Sequence, residues 1–277
     1  MTYKNILIHV DRGARSGERL DIGFGLAQSL DAHCVGLFAL SAQRIPSYAR
    51  VEAGNIVAEA EAKFRAEAAA AAEAVFQGAA KRAGFASAEW RASKRDALGA
   101  MLLSARYSDL VIVGQRDADE DTGVTPDFVD ELVLAAGRPV LAIPYAGRFT
   151  SVGKNVLVAW NASREAARAV SDAIPLLQRA ASVQVVAFDP GKGGDHGDVP
   201  GADIGLFLAR HGVKVQVAQQ NGAGLDIGAQ ILSRAADIGA DLIVMGAYGH
   251  SRMRELVLGG ATRTLLESMT VPVLLSH

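Results

Sequence analysis

The chain has 277 residues, half of them hydrophobic and 21% charged, with 28 Lys and Arg against 30 Asp and Glu for a formal net charge of −2. That length supports a substantial buried core in one large or two ordinary domains, and the charge balance leaves no electrostatic footprint for nucleic acid. A single cysteine, Cys34, excludes an internal disulfide.

The chain enters an apolar strand at once, in "KNILIHVD" (4–11), with no basic leader ahead of it. No uncharged apolar run reaches the roughly 18–20 residues of a membrane span, so no membrane association is expected and a cytoplasmic protein is. "AHCVGLFAL" reads as a buried strand, which makes Cys34 an inert core thiol. A long helix is predicted over about 52–83, with Ile56, Phe64, Val75 and Phe76 along its apolar side and Glu59, Glu61, Lys63, Arg65, Glu67 and Glu73 facing water. "SDLVIVG" (108–114) and "RPVLAIP" (138–144) follow as strands, and "AGRFTSVG" (146–153) reads as a linker.

Beyond it, strands are predicted at 155–160, 183–188, 213–218, 241–246 and 272–276, with helices at 163–180, 202–211, 225–238 and 260–269. Ser163 is a good N-cap for the first of these helices, and Pro175 is expected to kink it. Three apolar segments recur in the same order. "KNILIHVD" matches "KNVLVAWN" at an offset of 150, "SDLVIVG" matches "ADLIVMG" at 132, and "RPVLAIP" matches "VPVLLSH" at 133. Such self-similarity indicates two copies of one unit. Continuous apolar strands alternating with helices imply parallel sheets joined by right-handed crossovers. The expected class is α/β: two tandem doubly wound parallel-sheet domains, 1–146 and 153–277.

In such sheets ligands bind beyond the carboxyl ends of the strands, where strand order reverses. "MGAYGHSRMRELVLGGAT" (245–262) lies on that edge of the second copy. Gly246 and Gly249 allow close backbone approach. Gly259 and Gly260 precede a helix whose free amides, including those of Ala261 and Thr262, favour an anion. His250, Ser251, Arg252 and Arg254 add donors and positive charge. The segment fits a phosphate cradle; taken alone, the glycines fit a pair of tight turns and a helix start equally well. There is no GxxxxGK[ST] loop, no Gly-rich turn after either first strand, no GxSxG elbow and no HExxH pair. Asp189, at a strand end without preceding glycines, reads as solvated.

The pattern G-x2-G-x9-G plus a small residue, between "DLIVMG" and "VPVLL", resembles the signature of the universal stress protein family, specifically its tandem members. The resemblance implies five parallel strands per domain, an adenine nucleotide α-hydrolase-like fold, and domains paired through their last strands; a homodimer is left open. In one branch of that family it also implies bound ATP, with phosphates on the glycine loop and helix start and the end of the first strand near the adenine. The residue at that strand end, usually aspartate, is here Asn161, which still offers a donor and an acceptor. Ser163 lies on the same edge. Gly260 stands where the family has a hydroxyl or amide side chain, with Thr262 two residues on. The expected ligand is an adenine nucleotide, ATP or AMP, with or without Mg, held by Asn161, Ser163, Gly246, Gly249, His250, Arg252, Gly259, Gly260, Ala261 and Thr262.

The first copy keeps Asp11 but continues from Gly114 into "QRDADEDTGVTPDFVDELV", with Asp117 in place of the second glycine and Pro126 and Asp127 in place of the last two. Asp117, Asp119, Glu120, Asp121 and Asp127 would repel phosphate, so the first domain is expected not to bind nucleotide. Thr122 and Phe128 break an EF-hand pattern, so the acidic run reads as a solvated loop. Asp195, His196 and Asp198 in "GGDHGD" read as a mobile loop. Three functions stay open: a nucleotide-binding stress or signalling protein without catalytic residues, a slow ATPase or nucleotidyl transferase using His250 and Glu255, and a nucleotide-free interaction scaffold.

Overall fold

The computed structural model describes residues 2–41, 47–192, 199–222, 224–249 and 260–277. The elements run β1 (Asn5–Val10), α1 (Ser16–Leu30), β2 (His33–Phe38), α2 (Ser47–Ala83), β3 (Ala88–Ala92), α3 (Ala97–Ala105), β4 (Leu110–Gly114), α4 (Phe128–Ala135) and β5 (Val140–Ile143). They continue as β6 (Asn155–Trp160), α5 (Arg164–Leu177), β7 (Ser182–Phe188), α6 (Ala202–Arg210), β8 (Val215–Gln220), α7 (Ile227–Asp237), β9 (Leu242–Gly246), α8 (Gly260–Ser268) and β10 (Val273–Ser276). The second helix begins at Ser47, earlier than the apolar spacing suggested. α5 carries Pro175 in its last turn and ends at Leu177.

Among the described residues, ten strands form a single sheet in the order β3-β2-β1-β4-β5-β10-β9-β6-β7-β8. The expected two five-stranded arrays therefore meet edge to edge. Every neighbouring pair is parallel except β5 and β10, which run antiparallel with Leu141 opposite Leu274. In each half the order reverses beside the first strand, between β1 and β4 and between β6 and β9.

The strands alternate between two apolar layers. Ile6, Ile8, Val10, Val156 and Val158 face a cluster completed by Leu20 and Phe24 of α1, Phe76 of α2, Val170 of α5 and Leu208 of α6. Leu7, Val111, Leu157 and Ile243 face the other, with Met101 of α3, Leu132 of α4, Ile231 of α7 and Leu265 of α8. Both layers run across both halves, which is the geometry of a parallel sheet covered on each face. Phe76 crosses β2 at Gly36, where a Cβ would lie 2.3 Å from its ring. Cys34 is buried in β2, and burial pushes its thiol up to about 12.

One device recurs in both halves. The Asp109 carboxylate accepts the Lys4 and Asn5 amides at 2.7 and 2.9 Å, fixing the start of β1. Asp241 does the same for β6, accepting Gly153, Lys154 and Asn155 amides and the Ser151 hydroxyl. Side chains also tie the halves together. Tyr3 donates its hydroxyl to the Asp172 carbonyl of α5, Arg168 donates to the Gly137 carbonyl at 3.1 Å, and Gln115 donates to the Leu266 carbonyl at 2.8 Å. Among the described residues, no helix is long and apolar enough to cross a membrane.

Candidate ligand cleft

Two crevices open at the two reversal points, and they differ sharply. The one beyond β6 and β9 has a volume of ≈ 490 Å³. The one beyond β1 and β4 has ≈ 20 Å³, room for little more than a water molecule.

The larger cleft has an apolar wall of Phe188, Leu225, Ile227 and Ile231. Trp160, Asn161, Gly246, Tyr248, Gly249, Gly260, Ala261 and Thr262 also line it. Strand register brings these ends together, since Ala159 of β6 lies opposite Met245 of β9. After Asn161 the chain turns through Ala162 at φ 57°, and the Asn161 Oδ1 accepts the Ser163 amide at 3.1 Å. Ser163 then caps α5, its hydroxyl oxygen accepting the Ala166 amide at 3.1 Å. The acceptors of Asn161 and Ser163 are thus engaged in building the turn. Ser163 supports the cleft from behind.

Gly246 is required by packing. A Cβ there would stand 2.4 Å from the Ala166 nitrogen and the Glu165 carbonyl carbon, so only glycine lets the α5 N-terminus rest on β9. At Gly249 a Cβ would come 3.1 Å from a Glu165 carboxylate oxygen. Gly260 begins α8, and a Cβ on it would find only Asp226 Oδ1, at 3.7 Å. Among the described residues α8 opens at Gly260, which puts the amides of Gly260, Ala261 and Thr262 at its positive end. Thr262 is buried and its hydroxyl oxygen accepts the Tyr248 amide at 3.4 Å. His250, Arg252 and Gly259 lie outside the described residues, as do Ser251, Arg254, Glu255 and the run Asp195–Asp198.

Asp189 corrects an expectation. It is buried rather than solvated, in left-handed backbone at φ 44°. Its carboxylate accepts the Gly222 amide at 2.8 Å and the Gln230 Nε2 at 3.2 Å, so it braces the cleft wall. Asp226, unmarked by any motif, caps α7 through Oδ2, which accepts the Ala229 amide at 3.2 Å, and leaves Oδ1 beside the α8 terminus.

The small crevice is filled by side chains. Asp11 and Arg19 form an ion pair of 2.8 Å with 8% and 4% of their side chains exposed. The Asp11 carboxylate also accepts from the Ser16 hydroxyl at 2.7 Å and the Gly13 amide at 2.9 Å. Burial opposes the charge on Asp11, but Arg19, His9 and Ser16 outweigh it and hold the carboxyl at about 2. Burial lowers the pKa of His9, 3.8 Å away and enclosed, against the pull of Asp11. The Arg19 guanidinium lies against Gly114, where a Cβ would meet it at 2.1 Å. Part of the acidic loop is engaged as well. Glu120 accepts the Ala14 amide near the start of α1 at 2.7 Å, and Asp121 pairs with Arg12 at 3.0 Å. Arg19 carried no sequence signal, because nothing in its neighbourhood marks a buried arginine.

Among the described residues, this is a doubly wound α/β protein with an open cleft at one reversal point and a closed crevice at the other. The model of the universal stress protein family matches residues 153–277, so the second half of the chain is similar to that family. A curated relative, universal stress protein Slr1230 of Synechocystis sp., is 50% identical over 38 residues, 14% of this chain and 13% of the relative. The match thus spans a small part of that protein's length. Among solved structures, a universal stress protein from Archaeoglobus fulgidus aligns with a TM-score of 0.73 at 18% identity, covering 98% of this chain and 95% of that one. A putative universal stress protein from Pseudomonas aeruginosa aligns at 0.56 and 16% identity, covering 99% and 93%. These alignments show a shared fold, the adenine nucleotide α-hydrolase-like fold.

Proposed function

We propose that the cleft beyond β6 and β9 binds an adenine nucleotide, ATP or AMP, and that the chain serves a stress-response or signalling role through that binding. The observation that carries this reading is the meeting, in one cleft of ≈ 490 Å³, of an apolar wall and a helix start that begins with Gly260. The volume falls within the range of small-molecule sites. Phe188, Ile227 and Ile231 offer a surface for a flat heterocycle, and the amides at Gly260, Ala261 and Thr262 offer donors for phosphate oxygens. Asn161 adds a side-chain amide at the wall's edge. The match of residues 153–277 to the universal stress protein family supports the same reading.

A magnesium ion accompanying ATP fits the residues present. Mg²⁺ usually takes one or two carboxylates and completes its shell with phosphates and water. Asp226, with Oδ1 beside the α8 terminus, is the carboxylate that would reach it, supplying charge neutralisation for the phosphates. The first half, with its crevice closed by Arg19, is proposed to bind no nucleotide. The two halves are proposed as domains 1–146 and 153–277 that pair through β5 and β10.

Equilibrium binding of labelled ATP to the wild type and to Gly260→Val tests the reading. A Cβ at position 260 contacts nothing closer than 3.7 Å, so folding should be unchanged while approach to the helix amides is obstructed. The expected result is a loss of about tenfold or more, equivalent to about 1.4 kcal/mol. Equal affinity in both proteins, or no binding by the wild type, overturns it.

A further inference from the structure

Tyr248 stands between the two glycines that flank the open cleft, in left-handed backbone at φ 58°. A tyrosine gains nothing from that conformation, which costs a residue with a Cβ about 1–2 kcal/mol. Strain of this kind persists only where surrounding contacts over-determine it. Three contacts do so here. The Tyr248 amide donates to Thr262 Oγ1, the ring lies 6.5 Å from that of His277, and the hydroxyl donates to the Asp130 carboxylate. The Ala247 carbonyl on the same turn lies 3.0 Å from His277 Nδ1.

The third contact is the unusual one, because Asp130 belongs to α4, in the other half of the chain. Residues 248 and 130 meet only because β10 lies beside β5 at the centre of the sheet. Asp130 is half-buried, and its loss of hydration, with Asp127 and Glu267 nearby, raises its carboxyl above the ordinary range while the Tyr248 hydroxyl works the other way. A carboxylate kept in so poor an environment for charge makes a strong acceptor for a neighbouring hydroxyl.

From this geometry we infer that Asp130 is a positioning residue for the cleft in the opposite half: acting through Tyr248, it holds the turn 246–249 in its ligand-ready form. The half whose own crevice is closed thereby contributes to the site of the other. The inference rests on the proposed nucleotide reading for its consequence, but the tether itself exists without ligand and is measurable in its absence.

The test uses the full chain as wild type, Tyr248→Phe, Asp130→Ala, Asp130→Asn and the Tyr248→Phe/Asp130→Ala double variant. Hydrogen exchange at the amides of residues 247–249 is read without ligand, and ATP affinity is read separately. Tyr248→Phe and Asp130→Ala should each speed exchange and weaken ATP binding by about tenfold, or about 1.4 kcal/mol. The double variant should be no worse than either single one. Asp130→Asn, whose carbonyl oxygen still accepts the hydroxyl, should recover most of the loss. Unchanged exchange in both single variants, additive effects, or failure of the asparagine to rescue overturns the inference. A wild type that binds no ATP, with exchange altered as expected, would leave the tether standing and remove the nucleotide reading alone.

Discussion

Replacing Arg19 by methionine, similar in bulk but uncharged, isolates what closes the first crevice. Asp11 would keep its burial and lose its cation at 2.8 Å. Breaking one side of a buried ion pair costs roughly 3–5 kcal/mol, because the remaining charge is left uncompensated. The pH dependence gives a second and independent handle. In the wild type the Asp11 carboxyl sits at about 2 against an ordinary 3.8. Its lowered value means that its charged form contributes stability above pH 4, worth about 2 kcal/mol, which is lost as the pH falls from 4 through 2. With Arg19 gone, burial dominates and the folded-state value rises above 3.8, reversing the sign. The variant's protonated carboxyl then favours the folded state at low pH, and that contribution is lost as the pH rises. The gap between wild type and Arg19→Met should therefore be widest at pH 7 and shrink toward pH 4. Urea unfolding at the two pH values measures it, with Trp90 in one half and Trp160 in the other as fluorescent reporters. Adding Asp11→Asn should restore most of the loss at pH 7. A loss below about 1 kcal/mol, the scale of an exposed pair, or a loss equal at both pH values, would refute the account of a buried, Arg-compensated carboxylate.

Two further outcomes follow from the packing. Gly246→Ala should cost about 1–3 kcal/mol in urea unfolding, since its Cβ would meet the α5 backbone at 2.4 Å and backbone cannot yield as a side-chain tip does. Cys34, with its thiol pushed up to about 12 inside β2, should resist a thiol-reactive dye at pH 8 in the native protein and react once the chain is unfolded in urea.

What was legible in the sequence is what depends on periodicity. Strands such as Asn155–Trp160 and Leu242–Gly246 are continuous apolar runs, and the recurrence of such runs in the same order reveals a second copy of the strand order. Glycine at 246 was legible as a point of close approach, but the expected neighbour was a phosphate, whereas the backbone of Glu165 and Ala166 stands there. The side-chain tasks were not legible. Asp109 and Asp241 sit in the repeated segments and look like ordinary polar residues before a strand, yet each binds the amides that begin a neighbouring strand more than 80 residues away. Asp189 looked solvated because its partners, the Gly222 amide and Gln230, arrive from a distant turn and helix. Periodicity reports which face a residue occupies, and it says nothing about which distant polar group will reach it.

The same limit explains why charge repulsion from the acidic loop was only part of the reason to separate the two halves. The offset that aligns β1 with β6 sets Arg19 of α1 against Ala169 of α5. At 19 the long cation reaches Asp11 and Gly114 and fills the reversal point; at 169 a methyl group is fully buried and reaches neither. With no side chain filling the second reversal point, the α5 backbone itself settles on Gly246, and the space beyond the strands stays open. One position, small in one copy and charged in the other, thus contributes to the difference between the two reversal points. The acidic residues of the first half then become available for other tasks: Glu120 on the Ala14 amide, Asp121 on Arg12, and Asp130 on the tyrosine of its neighbour's cleft.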